Sequence, residues 1–142
     1  MTAIHPQLQV DCLVLGRFKL CHLLLMKDAN YPWCILVPDR DCISEIYQLD
    51  PLDQQQLLHE SSLLGKMLMD IFNGHKLNVA ALGNMVPQLH IHHVVRMEDD
   101  PAWPAPVWGR VAMKPYAENE LNERVQKIRS ALAGKTGVRL QY

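Results

Sequence analysis

The sequence predicts an α+β fold: an antiparallel sheet of about five strands, one long helix across one face, and a second helix towards the C-terminus. Three observations carry this reading. Short apolar runs separated by turn residues fill positions 11–37 and recur over 76–96. An apolar period close to 3.6 runs through positions 51–72. The helical stretches interrupt groups of strands joined by tight turns, a pattern that disfavours a parallel α/β wind. The chain has 142 residues, the size of one domain, and is long enough to bury a core without covalent staples.

Cys12-Leu13-Val14-Leu15 is a short strand, with Gly16 read as the turn that stops it. Phe18–Met26 follows as the second arm of a hairpin. Asp28-Ala29-Asn30-Tyr31-Pro32 has turn chemistry. Trp33-Cys34-Ile35-Leu36-Val37 is then a buried strand closed by Pro38-Asp39-Arg40-Asp41. Asp50 is a good N-cap and Pro51 suits the first helical position, where the missing N–H costs nothing. Leu57, Leu58, Leu64, Met67, Leu68 and Ile71 form the apolar stripe of a helix of about six turns. Its polar face carries Gln54, Gln55, Glu60 and Ser61, and Asn73-Gly74 ends it. Strands over Lys76–Leu82 and Gln88–Arg96 are joined by Gly83-Asn84, the strongest turn signal in the chain. Pro101–Trp108, with three prolines and two tryptophans, is an ordered irregular segment or a partner surface. A final helix opens after Pro115; Leu121, Val125, Ile128 and Leu132 give its apolar stripe and Gly134 closes it.

Composition narrows the function. Hydrophobic residues make up 49% and charged residues 20%, and the formal charge is −1, which disfavours duplex nucleic acid as a partner because that binding is driven by phosphate neutralisation. No apolar run approaches the ~20 residues that cross a bilayer, and Met1–Pro6 lacks the basic start and apolar stretch of a signal peptide. A cytoplasmic protein without a membrane partner is expected. Cys12, Cys21, Cys34 and Cys42 form no C-x-x-C pair and read as thiols acting as small hydrophobes, most of them buried.

The chemistry concentrates in Val86-Pro87-Gln88-Leu89-His90-Ile91-His92-His93-Val94-Val95-Arg96. Extended geometry puts Gln88, His90 and His92 on one face, towards a polar pocket, and Leu89, Ile91 and His93 on the other, towards the core. A neutral imidazole is a nucleophile at neutral pH. It can attack phosphorus and split one difficult displacement into two easier ones. One ring nitrogen must then be unprotonated and aimed at the substrate while the other donates a hydrogen bond that fixes the tautomer. A second imidazole two residues on can donate to the phosphoryl oxygens.

These residues resemble the signature of the histidine-triad (HIT) nucleotide hydrolases and transferases, His-φ-His-φ-His-φ-φ with φ apolar, in a context like Pro-His-Leu-His-φ-His-φ-φ-Pro-Arg. Trp33–Ile46 and Gly83-Asn84 extend the likeness, which covers about residues 10–108. The resemblance implies a HIT domain over 1–108, with 109–142 as a C-terminal extension within the same globular unit, and a homodimer. It makes His90 the nucleophile that becomes nucleotidylated and His92 the phosphate contact. Gln88 takes the first triad position, usually His, and would act through its backbone carbonyl. It further implies that Asn78 and Asn84 lie near the phosphate and that Asp28 holds ribose hydroxyls. Met85 replaces a frequent Ser or Thr, Asp41 or Cys42 falls where many members have a further His, and His93 replaces an apolar φ and should point away from the site. The reaction implied is hydrolysis or transfer at the α-phosphate of a nucleotide derivative, a phosphoramidate or dinucleoside polyphosphate, with no cofactor and no metal.

Three other readings stand beside this one. The fold can serve as a non-catalytic nucleotide-binding or regulatory module, since Gln88 removes a titratable group. His-x-His can hold zinc, with His75 or Asp41 as third ligand, although no second motif has metal spacing. Gly134-Lys135-Thr136 fails as a phosphate loop because Arg129 stands where that motif needs glycine. Trp103 and Trp108 can stack a base or cover a core edge.

Overall fold

A computed structural model of the chain describes residues 2–142. One antiparallel sheet of six strands organises it: β1 Cys12–Arg17, β2 Cys21–Met26, β3 Trp33–Pro38, β4 Lys76–Ala80, β5 Ile91–Arg96 and β6 Arg139–Leu140, in the order β4-β5-β3-β2-β1-β6. Among the described residues three α-helices accompany it: α1 Pro6–Asp11, α2 Pro51–Ile71 and α3 Glu118–Leu132. The expected α+β class is therefore observed, with one strand more than expected. Every residue of β2, β3 and β5 is buried. These central strands are covered on both faces, which accounts for their continuous apolar runs.

One face packs under α2 and α3. Leu57, Leu64 and Leu68 of α2 and Val125, Ile128 and Leu132 of α3 share a core with Leu23, Leu36, Ile91 and Val95 of the sheet. The opposite face is smaller: Leu24, Ile35 and Val94 meet Leu8 of α1, and Ala102 and Val107 of the segment after β5. Among the described residues no helix is long and apolar enough to cross a membrane.

The predicted caps of α2 form as read. Asp50 accepts a hydrogen bond from the Asp53 N–H at 2.8 Å, and Asn73 takes a left-handed conformation (φ 50°) after the last turn. The predicted faces of α2 need two corrections. Glu60 is buried, because its carboxylate accepts the N–H groups of Leu20 and Cys21, at 2.8 and 2.9 Å, where β2 begins. Leu58, assigned to the apolar stripe, is 69% exposed.

Gly16 does not end β1. It lies inside the strand at a register shift, and a Cβ there would come within 2.3 Å of the Arg139 carbonyl oxygen. The close approach lets β6 pair with Gly16 and Arg17. β6 escapes sequence reading because two residues show no period. The strand predicted over Gln88–Arg96 begins only at Ile91, and β4 ends at Ala80, so a ten-residue irregular loop (81–90) replaces the predicted tight hairpin. α1 was not predicted; Pro6 starts it and His5 Nδ1 accepts the Gln7 N–H at 3.1 Å.

Candidate active site

β5 places His92 and His93 on opposite faces of the sheet. His93 points under α2: its Nδ1–H donates to the Ile91 carbonyl at 3.1 Å, which leaves Nε2 to accept the Ser61 hydroxyl at 2.7 Å. It is fully buried, and burial lowers its pKa to about 4. His93 thus turns away from His90 and His92, as the resemblance implied.

His90 and His92 face the other side. Their ring centroids are 5.0 Å apart and their planes 71° from each other. His90 Nδ1 lies 2.7 Å from the Gln88 carbonyl oxygen. A carbonyl only accepts, so Nδ1 carries a proton, and in the neutral ring Nε2 is the nitrogen left with the lone pair. No protein group among the described residues hydrogen-bonds Nε2. His92 Nδ1 lies 3.0 Å from Trp33 Nε1. Burial, then the neighbouring His90 and His93, lower the His92 pKa to about 3, so this ring is neutral at any ordinary pH.

Both imidazoles open on a cavity of about 620 Å³, within the ~300–1,000 Å³ typical of small-ligand sites. Its walls are mostly apolar, with Trp33, Val107, Trp108 and Met113 prominent, and its polar groups include Asp28, Asn84, Gln7 and Asp11. Trp108 stands edge-on to His92 at 5.2 Å and to Trp33 at 5.7 Å. A larger concavity of about 810 Å³ lies at the β1–β6 edge beside Arg17, Lys19 and Arg139. It lacks the paired imidazoles and the aromatic wall, so the smaller cavity is the better candidate site.

Asp28 is buried with Oδ1 accepting the N–H groups of Asn30 (3.0 Å) and Lys114 (3.2 Å). No protein group among the described residues hydrogen-bonds its Oδ2. Asn84 and the exposed Met85 come from the irregular loop before β5.

Two predicted site residues lie elsewhere. Gln88 does not share a face with His90 and His92, because residues 87–90 leave strand geometry. Its amide clamps the N-terminal segment instead, with Oε1 accepting the His5 N–H at 2.8 Å and Nε2 donating to the Ala3 carbonyl at 3.0 Å. Only its backbone carbonyl serves the histidine pair. Asn78, on β4, accepts an Arg96 N–H at its Oδ1 at 2.9 Å and does not line the cavity. Sequence reasoning missed Trp33 as a site residue, since its run reads as plain core strand. It also missed Leu8 and Gln7, which α1 brings to the cavity.

The zinc ligands considered with the pair are also remote from it. His75 stands against Trp103 and Glu98, and Asp41 accepts the Thr2 hydroxyl at 2.9 Å. No group of three or more His, Cys, Asp or Glu among the described residues is placed to hold a metal ion.

This arrangement coincides with a known family. Residues 7–99 match the HIT domain. A histidine triad protein from Marinobacter aquaeolei VT8 superposes with a TM-score of 0.90 at 50% identity, over 93% of this chain and 96% of that one. Histidine triad proteins from Bradyrhizobium japonicum (41% identity, TM-score 0.89, 91% and 96% covered) and Sinorhizobium meliloti 1021 (40%, 0.88, 92% and 96%) are nearly as similar. No curated protein matches the sequence. The chain belongs to the HIT family, and its fold is consistent with nucleotide binding, hydrolysis or transfer.

Proposed function

We propose that the protein is a nucleotide hydrolase or nucleotidyl transferase acting at the α-phosphate through a nucleotidyl-His90 intermediate. The observation that carries this reading is the orientation of His90: Nδ1–H is tied to the Gln88 carbonyl at 2.7 Å and Nε2 has no protein partner beside the cavity. The Nε2 lone pair attacks the α-phosphorus, the bond to the leaving group breaks, and its electron pair departs with that group. Water or another acceptor then attacks the same phosphorus, loses its proton, and releases the nucleotide as the P–N bond breaks. His92 sits beside the reacting phosphoryl group. Gln88 occupies the first triad position and needs only its carbonyl for this task. Asp28 Oδ2 holds the ribose hydroxyls, Asn84 lies near the phosphate, and the Trp108 wall accepts the base.

Adenosine 5′-phosphoramidate and a dinucleoside polyphosphate are the substrates to test. The native protein is expected to release AMP, and His90→Asn to lose at least about 10³-fold in rate while still binding AMP. Equal release by both proteins refutes a covalent role for His90. AMP binding without turnover in either supports the alternative, a nucleotide-binding module.

The proposed working form is a cytoplasmic homodimer. Cys12, Cys21 and Cys34 are free buried thiols, which suit a reducing compartment. β4 is an outer strand of the sheet, next to an apolar groove lined by Leu58, Val79, Ile46 and Ile91. Self-pairing of β4 across a two-fold axis joins two sheets and covers that groove.

A further inference from the structure

We propose that Trp33 is a positioning residue that locks His92 in one tautomer, making it a dedicated hydrogen-bond donor to the cavity. The inference rests on the functional reading above for its catalytic consequence, but not for the tautomer itself. An indole N–H only donates, so at 3.0 Å from Trp33 Nε1 the His92 Nδ1 must be the acceptor. A neutral imidazole carries one proton, so the proton of His92 sits on Nε2. The same logic gives the opposite result two residues earlier. His90 is bonded at Nδ1 to a carbonyl and must carry its proton there. Adjacent imidazoles on one cavity wall are thereby assigned opposite tautomers by two different backbone and side-chain partners: His90 offers a lone pair and His92 offers an N–H.

The surroundings leave this lock little freedom. Trp33 and Trp108 both stand edge-on to His92, with centroids at 5.6 and 5.2 Å, and Tyr31 backs Trp33 at 6.2 Å. Trp33 and His92 are buried, so water does not compete well for Nδ1. A donor of this kind stabilises negative charge on a phosphoryl oxygen without changing its own protonation state. It cannot relay a proton through Nδ1, because that nitrogen is occupied by a donor that never accepts. His92 therefore contributes alignment and charge stabilisation rather than acid–base exchange, and the leaving group takes its proton from solvent or carries it in.

The test is imidazole nitrogen NMR on the full-length protein. The native His92 ring should show a protonated Nε2 and an unprotonated Nδ1, unchanged between pH 5 and 8, with a scalar coupling between Trp33 Nε1 and His92 Nδ1 across the hydrogen bond. A native ring protonated at Nδ1, or no such coupling, overturns the proposal without any variant. Replacing Trp33 with its benzothiophene isostere keeps the ring shape and removes the N–H. The His92 shifts should then move to an average of both tautomers, while the His93 ring, bonded to Ser61 on the other face, keeps its native shifts and reports that the fold persists. AMP release by the isostere variant should fall about tenfold or more in kcat with little change in KM. Retention of the native His92 shifts, or an unchanged kcat, overturns the positioning role. A native protein that releases no AMP removes the functional reading alone, and the nitrogen shifts still decide the tautomer.

Discussion

His92 and His93 are neighbours in sequence, face opposite sides of the sheet, and are both held neutral by burial, with pKa values near 3 and 4 against an ordinary 6.5. The consequence belongs to stability as well as chemistry. Between pH 6.5 and about 4 the unfolded chain protonates these rings and the folded one does not, so the unfolded state binds more protons. Stability is therefore complete above pH 6.5 and is lost as pH falls through that window, by up to about 1.4 kcal/mol per pH unit for each ring. Urea midpoints at several pH values from 7 to 4 check this. A flat profile contradicts the burial of both rings, and His93→Gln should reduce the slope by one histidine's share. The alternation that separates these two rings was readable from the pattern alone, because period two holds within β5. It failed at Gln88, where the chain is no longer extended, and a two-residue extrapolation put an amide on the wrong side. Trp33 could not be read as a site residue, because its partner lies 59 positions away and nothing local distinguishes it from a core aromatic.

At the level of elements, the site wall depends on how the chain leaves β5. Arg96, the last residue of that strand, is buried and forms paired hydrogen bonds to Asp100 at 2.8 and 3.0 Å, a third to Asn78, and cation–π contacts with Tyr31 and Trp103. Asp100 in turn accepts the N–H groups of Met97, Ala102 and Trp103. Asp100, just before Pro101, is thus a clamp that aims the following segment back over β5, where Trp108 meets His92. Arg96→Met leaves the Asp100 carboxylate buried without its cation and should cost about 3–5 kcal/mol, read as a lower urea midpoint. A loss below about 1 kcal/mol means the segment is held by its apolar contacts alone. The elements with strong local signals, α2 with its cap and the apolar strands β2 and β3, were legible. α1 and β6 were not, since each is short and exists through a distant partner: Gln88 anchors the chain just before α1, and Gly16 makes room for β6. Glu60 was misplaced for the same reason, because helical spacing does not register the unpaired N–H groups at the start of a strand 40 residues away.

For the molecule as a whole, the remaining asymmetry lies at the two edges of the sheet. The β1 edge is closed by β6, whereas β4 ends the sheet on the other side with its outer backbone groups facing no strand among the described residues. Exposed edges invite pairing, and proteins that stay monomeric blunt them with charge, proline or a covering segment. β4 reads Lys-Leu-Asn-Val-Ala, with Lys76 at one end and half-exposed Val79 near the other. Beside it on α2 stands Leu58, whose 69% exposure is out of keeping with the apolar stripe to which its spacing assigns it. Ile46 and Tyr47 continue the exposed apolar surface. The proposed second copy, related by a two-fold axis, would satisfy the strand and the apolar groove together, since antiparallel pairing of β4 with itself would put both Val79 side chains on one face of the joined sheet and set the two α2 helices side by side. Light scattering should return twice the chain mass for the native protein. Leu58→Glu combined with Val79→Lys should return one chain mass while leaving the His90 and His92 nitrogen shifts unchanged, because both substitutions lie outside the cavity lining. A native protein that scatters as a single chain at micromolar concentration refutes the dimer, and a double variant that remains paired shows that the copies meet elsewhere.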